Sequence, residues 1–294
     1  MDCWNSSTEL RNYIFENLKQ LQIKPSNQRG QNFLIDANII HFQIKQAGIN
    51  PKDTILEIGG GLGNLTKCLA QKAKKIYVIE NDRRIFNFLN DKFGVHSNIE
   101  IIYGDAVKVD FPSFTKCISN IPFQISSPIT LKLLDYSFDL GIIMYQKEFA
   151  QRLFAEPGTK DYSRIAVMIQ SRAVCKYLKT VKPTSFYPSP KIYSAIVSIQ
   201  KLKKELVKDL NNFSKFNTLL FTNKKKTVRN ILVNLLKRKA KQDISLPSKI
   251  LDTVPHLERR VFTLTIDELN EIFKILKKRI GEDLWSDIIS QNTK

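Results

Sequence analysis

Ile55-Leu56-Glu57-Ile58-Gly59-Gly60-Gly61-Leu62-Gly63 is the stretch that decides the fold. An apolar, β-prone run ends in glycines, and a helical pattern, Leu65–Lys74, follows. Glycine lets the backbone turn sharply and approach a ligand closely, and the helix N-terminus behind it favours anionic or polar groups. The spacing is Glu-x-Gly-x-Gly-x-Gly. A dinucleotide fingerprint starting at Gly59 would need glycine where Asn64 stands, which disfavours NAD. No Gly-Lys-Ser/Thr follows, which excludes a Walker loop.

Working outward, β-rich runs recur at Thr54–Ile58, Lys75–Glu80, Ile99–Ile102, Lys116–Ser119, Leu140–Tyr145, Ala173–Leu178 and Ala195–Ile199. Helical patterns at Leu65–Lys74, Arg83–Phe93 and Ile129–Leu134 separate the earlier ones. This alternation predicts an α/β fold with a parallel, doubly wound sheet. The last two strands flank a Pro-rich turn, Phe186-Tyr187-Pro188-Ser189-Pro190, and read as an antiparallel edge. Beyond Lys201 only helices are predicted, at Phe213–Phe221, Lys225–Lys237, Pro247–Leu251, Ile266–Lys278 and Asp283–Ser290. The expected division is an N-terminal extension (1–28) with one helix over Thr8–Leu21, a sheet domain (29–204) and a small all-helical domain (205–294).

The ends of successive strands carry the chemistry. Glu80 lies 21 residues beyond Gly59, where an acid can accept both hydroxyl hydrogens of a ribose. Asp105, in Gly104-Asp105-Ala106, can accept from an adenine amino group. A glycine loop (Gly59, Gly61), a ribose acid and an adenine acid at three strand ends suit S-adenosylmethionine. Asn120-Ile121-Pro122-Phe123 follows the fourth strand. An adenine amino nitrogen is a poor nucleophile because its lone pair is delocalised into the ring. Accepting its two hydrogens, through the Asn120 side-chain oxygen and the Ile121 carbonyl, favours the sp³ geometry from which it can attack a sulfonium methyl. Phe123 offers a face on which the base can stack. Such a transfer needs positioning more than acid–base power.

The 294 residues allow one large domain or two ordinary ones. With 43% hydrophobic residues and no long apolar run, a soluble globular protein without a membrane span is expected. The opening Met1-Asp2-Cys3-Trp4 does not read as a secretory signal. Four dispersed cysteines with no CxxC, and 3 histidines, make a zinc site improbable and suit a reducing, cytoplasmic compartment. Lys and Arg number 46 against 28 acids, a formal net charge of +18. Residues 201–294 hold 21 basic and 11 acidic side chains, and Asn211–Gln242 has no acid at all. Charge segregated in this way expects a polyanionic partner that presents phosphate. A lipid surface would need an amphipathic helix with an exposed apolar face.

These motifs together resemble the small-subunit ribosomal RNA adenine dimethyltransferases. Gln31-Asn32-Phe33-Leu34-Ile35-Asp36, Glu57–Gly63, Glu80, Gly104-Asp105 and Asn120–Phe123 match in order and spacing. So do Tyr145–Ala150, Phe186–Ile192 and the basic run Asn223–Asn230, while Gly158–Arg164 and Ile125–Ile129 look closest to archaeal members. The resemblance implies a Rossmann-like class I methyltransferase sheet with a helical RNA- and ribosome-binding domain. It implies that Asn32, Leu34, Gly59, Glu80, Asp105 and Asn120 contact S-adenosylmethionine, and that Asn120 through Phe123 hold the base. Lys224, Lys225, Lys226 and Arg229 are the RNA-binding candidates. The implied reaction dimethylates N6 of two adjacent adenosines in the 3′-terminal hairpin loop of small-subunit RNA. It would take place late in assembly of the small ribosomal subunit, with the enzyme working as a monomer.

Two positions depart from the family pattern: Gly60, where Pro or another small residue is common, and Phe123, where Tyr is common. Three alternatives stand beside this reading. One is an adenine methyltransferase on large-subunit RNA, of the erythromycin-resistance type. Another is a protein-glutamine or DNA-adenine methyltransferase, whose Asn/Asp-Pro-Pro motif is broken here by Ile121. The third is an assembly or transcription factor that keeps the fold as a binding module.

Overall fold

The computed structural model describes residues 3–26, 30–239, 246–281 and 285. Contacts divide the chain into two units: 1–150 with 173–201, and 151–172 with 202–294.

In chain order the first unit holds α1 (Ser7–Gln20), β1 (Phe33–Leu34), α2 (Ala37–Ala47), β2 (Thr54–Ile58), α3 (Asn64–Leu69), β3 (Lys75–Glu80), α4 (Arg83–Phe93) and β4 (Ile99–Tyr103). Then come β5 (Lys116–Asn120), α5 (Ser126–Leu134), β6 (Leu140–Gln146) and α6 (Lys147–Leu153), whose last turn leaves the unit. β7 (Ala173–Val181), β8 (Phe186–Tyr187) and β9 (Ser194–Lys201) complete it. The seven-stranded sheet runs β4-β3-β2-β5-β6-β9-β7. All pairs from β4 to β6 are parallel, as the strand–helix alternation predicts. β9 is antiparallel to both β6 and β7, so the predicted antiparallel edge is present, with β7 outermost. The Pro-rich connection does more than turn: within it β8 leaves the sheet and pairs with β1.

Elements without a counterpart in the periodicity include α2, β1 and β8. α2 is bracketed by legible signals, with Asp36 capping Asn38 N and Gly48 in the left-handed region. β1 and β8 are two residues each, too short to produce an alternation. α3 stops at Leu69 rather than Lys74, because the chain must turn back and Lys74 N donates to Asp53 O.

Of the expected 1–28 extension, the described residues 3–26 pack into the first unit. Leu10, Ile14 and Leu18 of α1, with Trp4 and Ile23, belong to the same buried cluster as Phe33, Leu34, Leu62, Leu65 and Cys68. Cys3 and Cys68 form a disulfide, against the expectation of free thiols in a reducing compartment. Sixty-five residues separate them in sequence, and only the packing of the N-terminal segment on α3 brings them together.

The second unit contains α7 (Arg164–Gln170), α8 (Leu210–Phe221), α9 (Val228–Lys239), α10 (Leu246–Leu251) and α11 (Ile266–Ile280). Phe213, Phe216, Phe273 and Trp285 form its aromatic centre. Thr265 and Glu268 close a capping box that starts α11. Residues 151–172 belong here and not to the expected 29–204 domain. Gly158 N donates to Phe262 O, Arg164 to Thr218 Oγ1, and the Tyr162 ring meets Phe221. Apart from Trp285, the helix predicted over Asp283–Ser290 lies outside the described residues. No helix among the described residues is long and apolar enough to cross a membrane.

A disulfide restricts the unfolded chain, so Cys3→Ser lowers stability by about 2–4 kcal/mol, read as a fall in melting temperature. A dithiol reproduces that fall in the parent protein and leaves the variant unmoved.

Candidate active site

The site lies where the strand order reverses. The chain builds β2, β3 and β4 outward in one direction, then returns to place β5 on the other side of β2. Loops after β2 and β5 therefore leave in opposite directions and a crevice opens between them. β2 and β5 share only two paired positions, Ile55 with Lys116 and Leu56 with Cys117. Beyond these, Ile58 N is satisfied by the Ser119 hydroxyl at 2.8 Å instead of a strand carbonyl.

A cleft of about 380 Å³ fills the crevice, and Asn32, Leu34, Gly59, Gly61, Glu80 and Asn120 all line it. Six positions from four motifs thus meet in one place. Asp105 is not among the lining residues. It sits beyond the adjacent strand β4, where its Oδ1 accepts from Val107 N at 2.9 Å.

Gly59 and Gly61 have φ of 77° and 53°, values that side chains other than glycine rarely tolerate. A Cβ on Gly60 would lie 2.4 Å from Val78 Cγ1, so glycine at this departure from the family pattern lets the loop close against β3. Glu80 accepts three backbone N–H bonds, from Gly61 at 3.1 Å and from Asn81 and Asp82 at 2.9 Å each. Burial raises its carboxyl above the ordinary range, while those donors pull the other way. Glu57, which the motif reading had left without a role, lines the same cleft and is fully buried. Burial pushes its carboxyl up to about 8, against the hydrogen bond from Thr66 Oγ1 and with help from the charge of Glu80.

The N-terminal segment braces the loop from behind. Tyr13 donates to Leu62 O at 2.7 Å, and Trp4 Nε1 to Asn64 O at 2.8 Å. Asn64 Nδ2 in turn donates to Leu34 O at 3.0 Å. Three segments distant in sequence thus share one hydrogen-bonded frame around Gly63.

Asn120 ends β5. Its Oδ1 accepts from Gln43 Nε2 at 2.9 Å, and Gln43, on α2, is completely buried. That donation fixes which way the Asn120 amide points and leaves its oxygen a second lone pair. Gln43 was missed in the sequence; its only signal was an amide among the apolar positions Ile39, Ile40 and Ile44. Asn120, Ile121, Pro122, Phe123 and Phe186 line a second, smaller cleft that shares Asn32, Asn120 and Pro122 with the first. Phe186, seen in sequence only as part of a turn, is brought there by the pairing of β8 with β1.

In the second unit the basic run divides. Lys224 Nζ donates to Lys160 O and Tyr162 O at 2.8 and 2.7 Å, and burial lowers its pKa. Arg229 is paired with Glu258. Lys225 and Lys226 are exposed. The run starts with turns, and α9 begins at Val228 and not at Lys225.

A family profile described as "Ribosomal RNA adenine dimethylase" matches residues 23–278. The chain is 40% identical over 267 residues to a probable ribosomal RNA small subunit methyltransferase A of Thermococcus sibiricus, covering 90% of this chain and 96% of that one. A protein of the same description from Methanococcus aeolicus is 41% identical over 271 residues, covering 87% and 99%. Among solved structures, a dimethyladenosine transferase from Plasmodium falciparum aligns with a TM-score of 0.74 at 28% identity, over 84% of this chain and 98% of that one. The 23S rRNA methyltransferase ErmE aligns with 0.60 at 26%, over 83% and 99%.

Two substitutions test the geometry. Gln43→Leu removes the donor to Asn120 while keeping an apolar helix position, so turnover falls about tenfold, the equivalent of one net hydrogen bond. The Michaelis constant for the cofactor changes little; an equal loss in both would mean that α2 itself has shifted. Tyr13→Phe releases Leu62 O and weakens S-adenosylmethionine binding about three- to tenfold, measured calorimetrically, with the ring packing intact.

Proposed function

The chain belongs to the ribosomal RNA adenine dimethylase family, and on that premise we propose that its target is the small-subunit RNA of an assembling ribosomal subunit. It is an S-adenosylmethionine-dependent enzyme acting on ribosomal RNA adenine. Within the proposal, two adjacent adenosines of the 3′-terminal hairpin loop are each dimethylated at N6, late in subunit assembly. The enzyme works as a monomer in the cytoplasm. The small-subunit target is favoured by the description that the archaeal relatives carry and by their near-complete coverage.

The observation that carries the reading is the placement of Asn120. It touches both clefts, so one residue can face the cofactor and the base together. The larger cleft suits S-adenosylmethionine. Gln31 Oε1 and Asn32 Oδ1 line it and are buried with no hydrogen-bond partner among the described residues. Unpaired buried acceptors are costly unless a ligand donor meets them. Glu80 would hold the ribose hydroxyls, the Gly59–Gly61 backbone the methionine portion, and Asn32 a ligand N–H. When bound, the cofactor supplies an electrophilic methyl group on a cationic sulfur.

The protein's own residues do the rest. Asn120 Oδ1 and Ile121 O accept the two hydrogens of the adenine amino group, which localises the nitrogen lone pair and aims it at the methyl. Gln43 keeps that oxygen from rotating away. Phe123 and Phe186 line the base cleft, exclude water and offer ring faces. Phe123 has no hydroxyl, so its contribution is stacking alone. No side chain has to remove a proton before attack, because the nitrogen becomes acidic only after it has gained the methyl group. In the second unit the exposed Lys225 and Lys226 are the RNA contacts of choice, while Lys224 and Arg229 serve mainly within the fold.

The test uses labelled S-adenosylmethionine with unmethylated small subunits, large subunits and naked RNA in parallel, followed by nucleoside mass analysis. Dimethyladenosine from small subunits alone is the expected result. Label in large-subunit RNA would point to the resistance-type reaction, and tight binding without label to a binding factor. Asn120→Ala abolishes transfer while cofactor binding stays detectable; full activity in that variant would remove the base-holding role.

A further inference from the structure

α1 buries Leu10, Ile14 and Leu18, which fixes the face it turns outward. On that face Arg11, Phe15 and Lys19 recur every four residues and are all exposed. Residues four apart on a helix are surface neighbours, so the stripe reads cation, aromatic, cation. Glu16, the exposed acid on this stretch, is rotated roughly 100° away from Phe15. A ring with 40% of its surface open to water costs hydrophobic free energy unless something covers it.

Phe15 does not stand alone. Its ring meets Tyr187 edge to face, with centroids 4.7 Å apart, and Tyr187 is 41% exposed. Tyr187 lies on β8, paired with Phe33 of β1, one residue after Phe186. Side chains alternate along a strand. Phe186 lines the base cleft, and Tyr187, the next residue, turns to the other face and is exposed. Exposed Lys182 and Lys191 flank Tyr187 in the chain.

Resting on the ribosomal RNA reading, we propose that Phe15 and Tyr187 form a stacking platform for an unpaired RNA base beside the target adenosine, with Arg11 and Lys19 holding its phosphates. Three observations favour this occupant. Tyr187 of the platform is the chain neighbour of Phe186, which lines the base cleft. The aromatic pair is bracketed by cations, the arrangement that holds single strands through stacking and phosphate neutralisation. The target must be unpaired for its base to leave the stack, so its neighbours are unpaired and within reach. The N-terminal segment thus has two faces: one braces the cofactor loop, and the other extends the RNA surface.

The experiment compares the full-length parent with Phe15→Ala, Tyr187→Ala, Tyr187→Phe and the double variant Arg11→Gln/Lys19→Gln. Each is assayed on small subunits and on whichever other RNA the parent methylates. The alanine variants raise the Michaelis constant for RNA roughly 5- to 100-fold, and that for S-adenosylmethionine is unchanged. Tyr187→Phe keeps parental affinity because the ring remains. The charge variant reduces the slope of log affinity against log salt by about 1.4. Alanine variants with parental RNA affinity overturn the platform, and so does a Tyr187→Phe loss equal to that of Tyr187→Ala. A parent that ignores small subunits but methylates another RNA overturns the small-subunit reading alone. The platform is then still decided on that RNA.

Discussion

Ile55 and Leu56 of β2 pair in parallel with Lys116 and Cys117 of β5, and the two strands then part. Everything the site does follows from that short pairing. It joins the first half of the sheet to the second, so the glycine loop and the Asn120 loop emerge side by side although some 60 residues separate them. It is anchored at its start by Lys116 Nζ, which bonds Asp53 and Gly48 O at 2.8 Å each in a nearly dry setting. At its end, the Ser119 hydroxyl takes the last β2 N–H. The contact between the loops is close enough that a Cβ on Gly59 would lie 3.2 Å from Pro122 Cδ. The glycine loop and the Asn120 loop are thus held as one piece, which is what an in-line transfer between two bound molecules requires.

A second constraint comes from the opposite side. The glycine loop bends through positive φ at Gly59, Gly61 and Gly63, a conformation that its own sequence does not hold in place. The holding is external: Tyr13, Trp4 and Asn64 satisfy or engage backbone carbonyls around it, and the Cys3–Cys68 bond ties the same segment to α3. Lys67 and Lys92 lie over the Trp4 and Tyr13 rings at 3.8 and 4.1 Å and add cation–π attraction. Preorganisation of this kind means that binding need not meet the cost of ordering the loop.

Charge, by contrast, is a poor guide to function one residue at a time. The net of +18 does point towards a polyanion. Yet Lys224, Arg229, Lys116 and Lys277 are engaged in carbonyl or carboxylate contacts within the fold. The cations left for RNA are those with no such task, and only the tertiary structure separates the two groups.

Much of the architecture was legible in the chain because it rests on local patterns. Buried parallel strands are continuous apolar runs and the antiparallel edge flanks a Pro-rich turn, so all seven sheet strands were placed within a few residues. The glycine loop, Glu80 and Asn120 could be read because each sits at a strand end, where only a few residue types serve. What could not be read depends on contacts between distant segments. The two-residue strands β1, which follows Asn32, and β8, which carries Phe186 to the site, have no periodicity of their own. Gln43 looks like a misplaced polar residue until α2 is packed over β5. Residues 151–172 join the helical unit through hydrogen bonds to residues beyond 210. Cys3 finds Cys68 only after α1 has folded onto α3. Sequence alone thus determined the strand and helix types and the chemistry available at each strand end, because those are local properties of backbone and side chain. The tertiary structure decided which of those groups meet, because the pairing of β2 with β5 and the docking of α1 are non-local contacts that no spacing encodes.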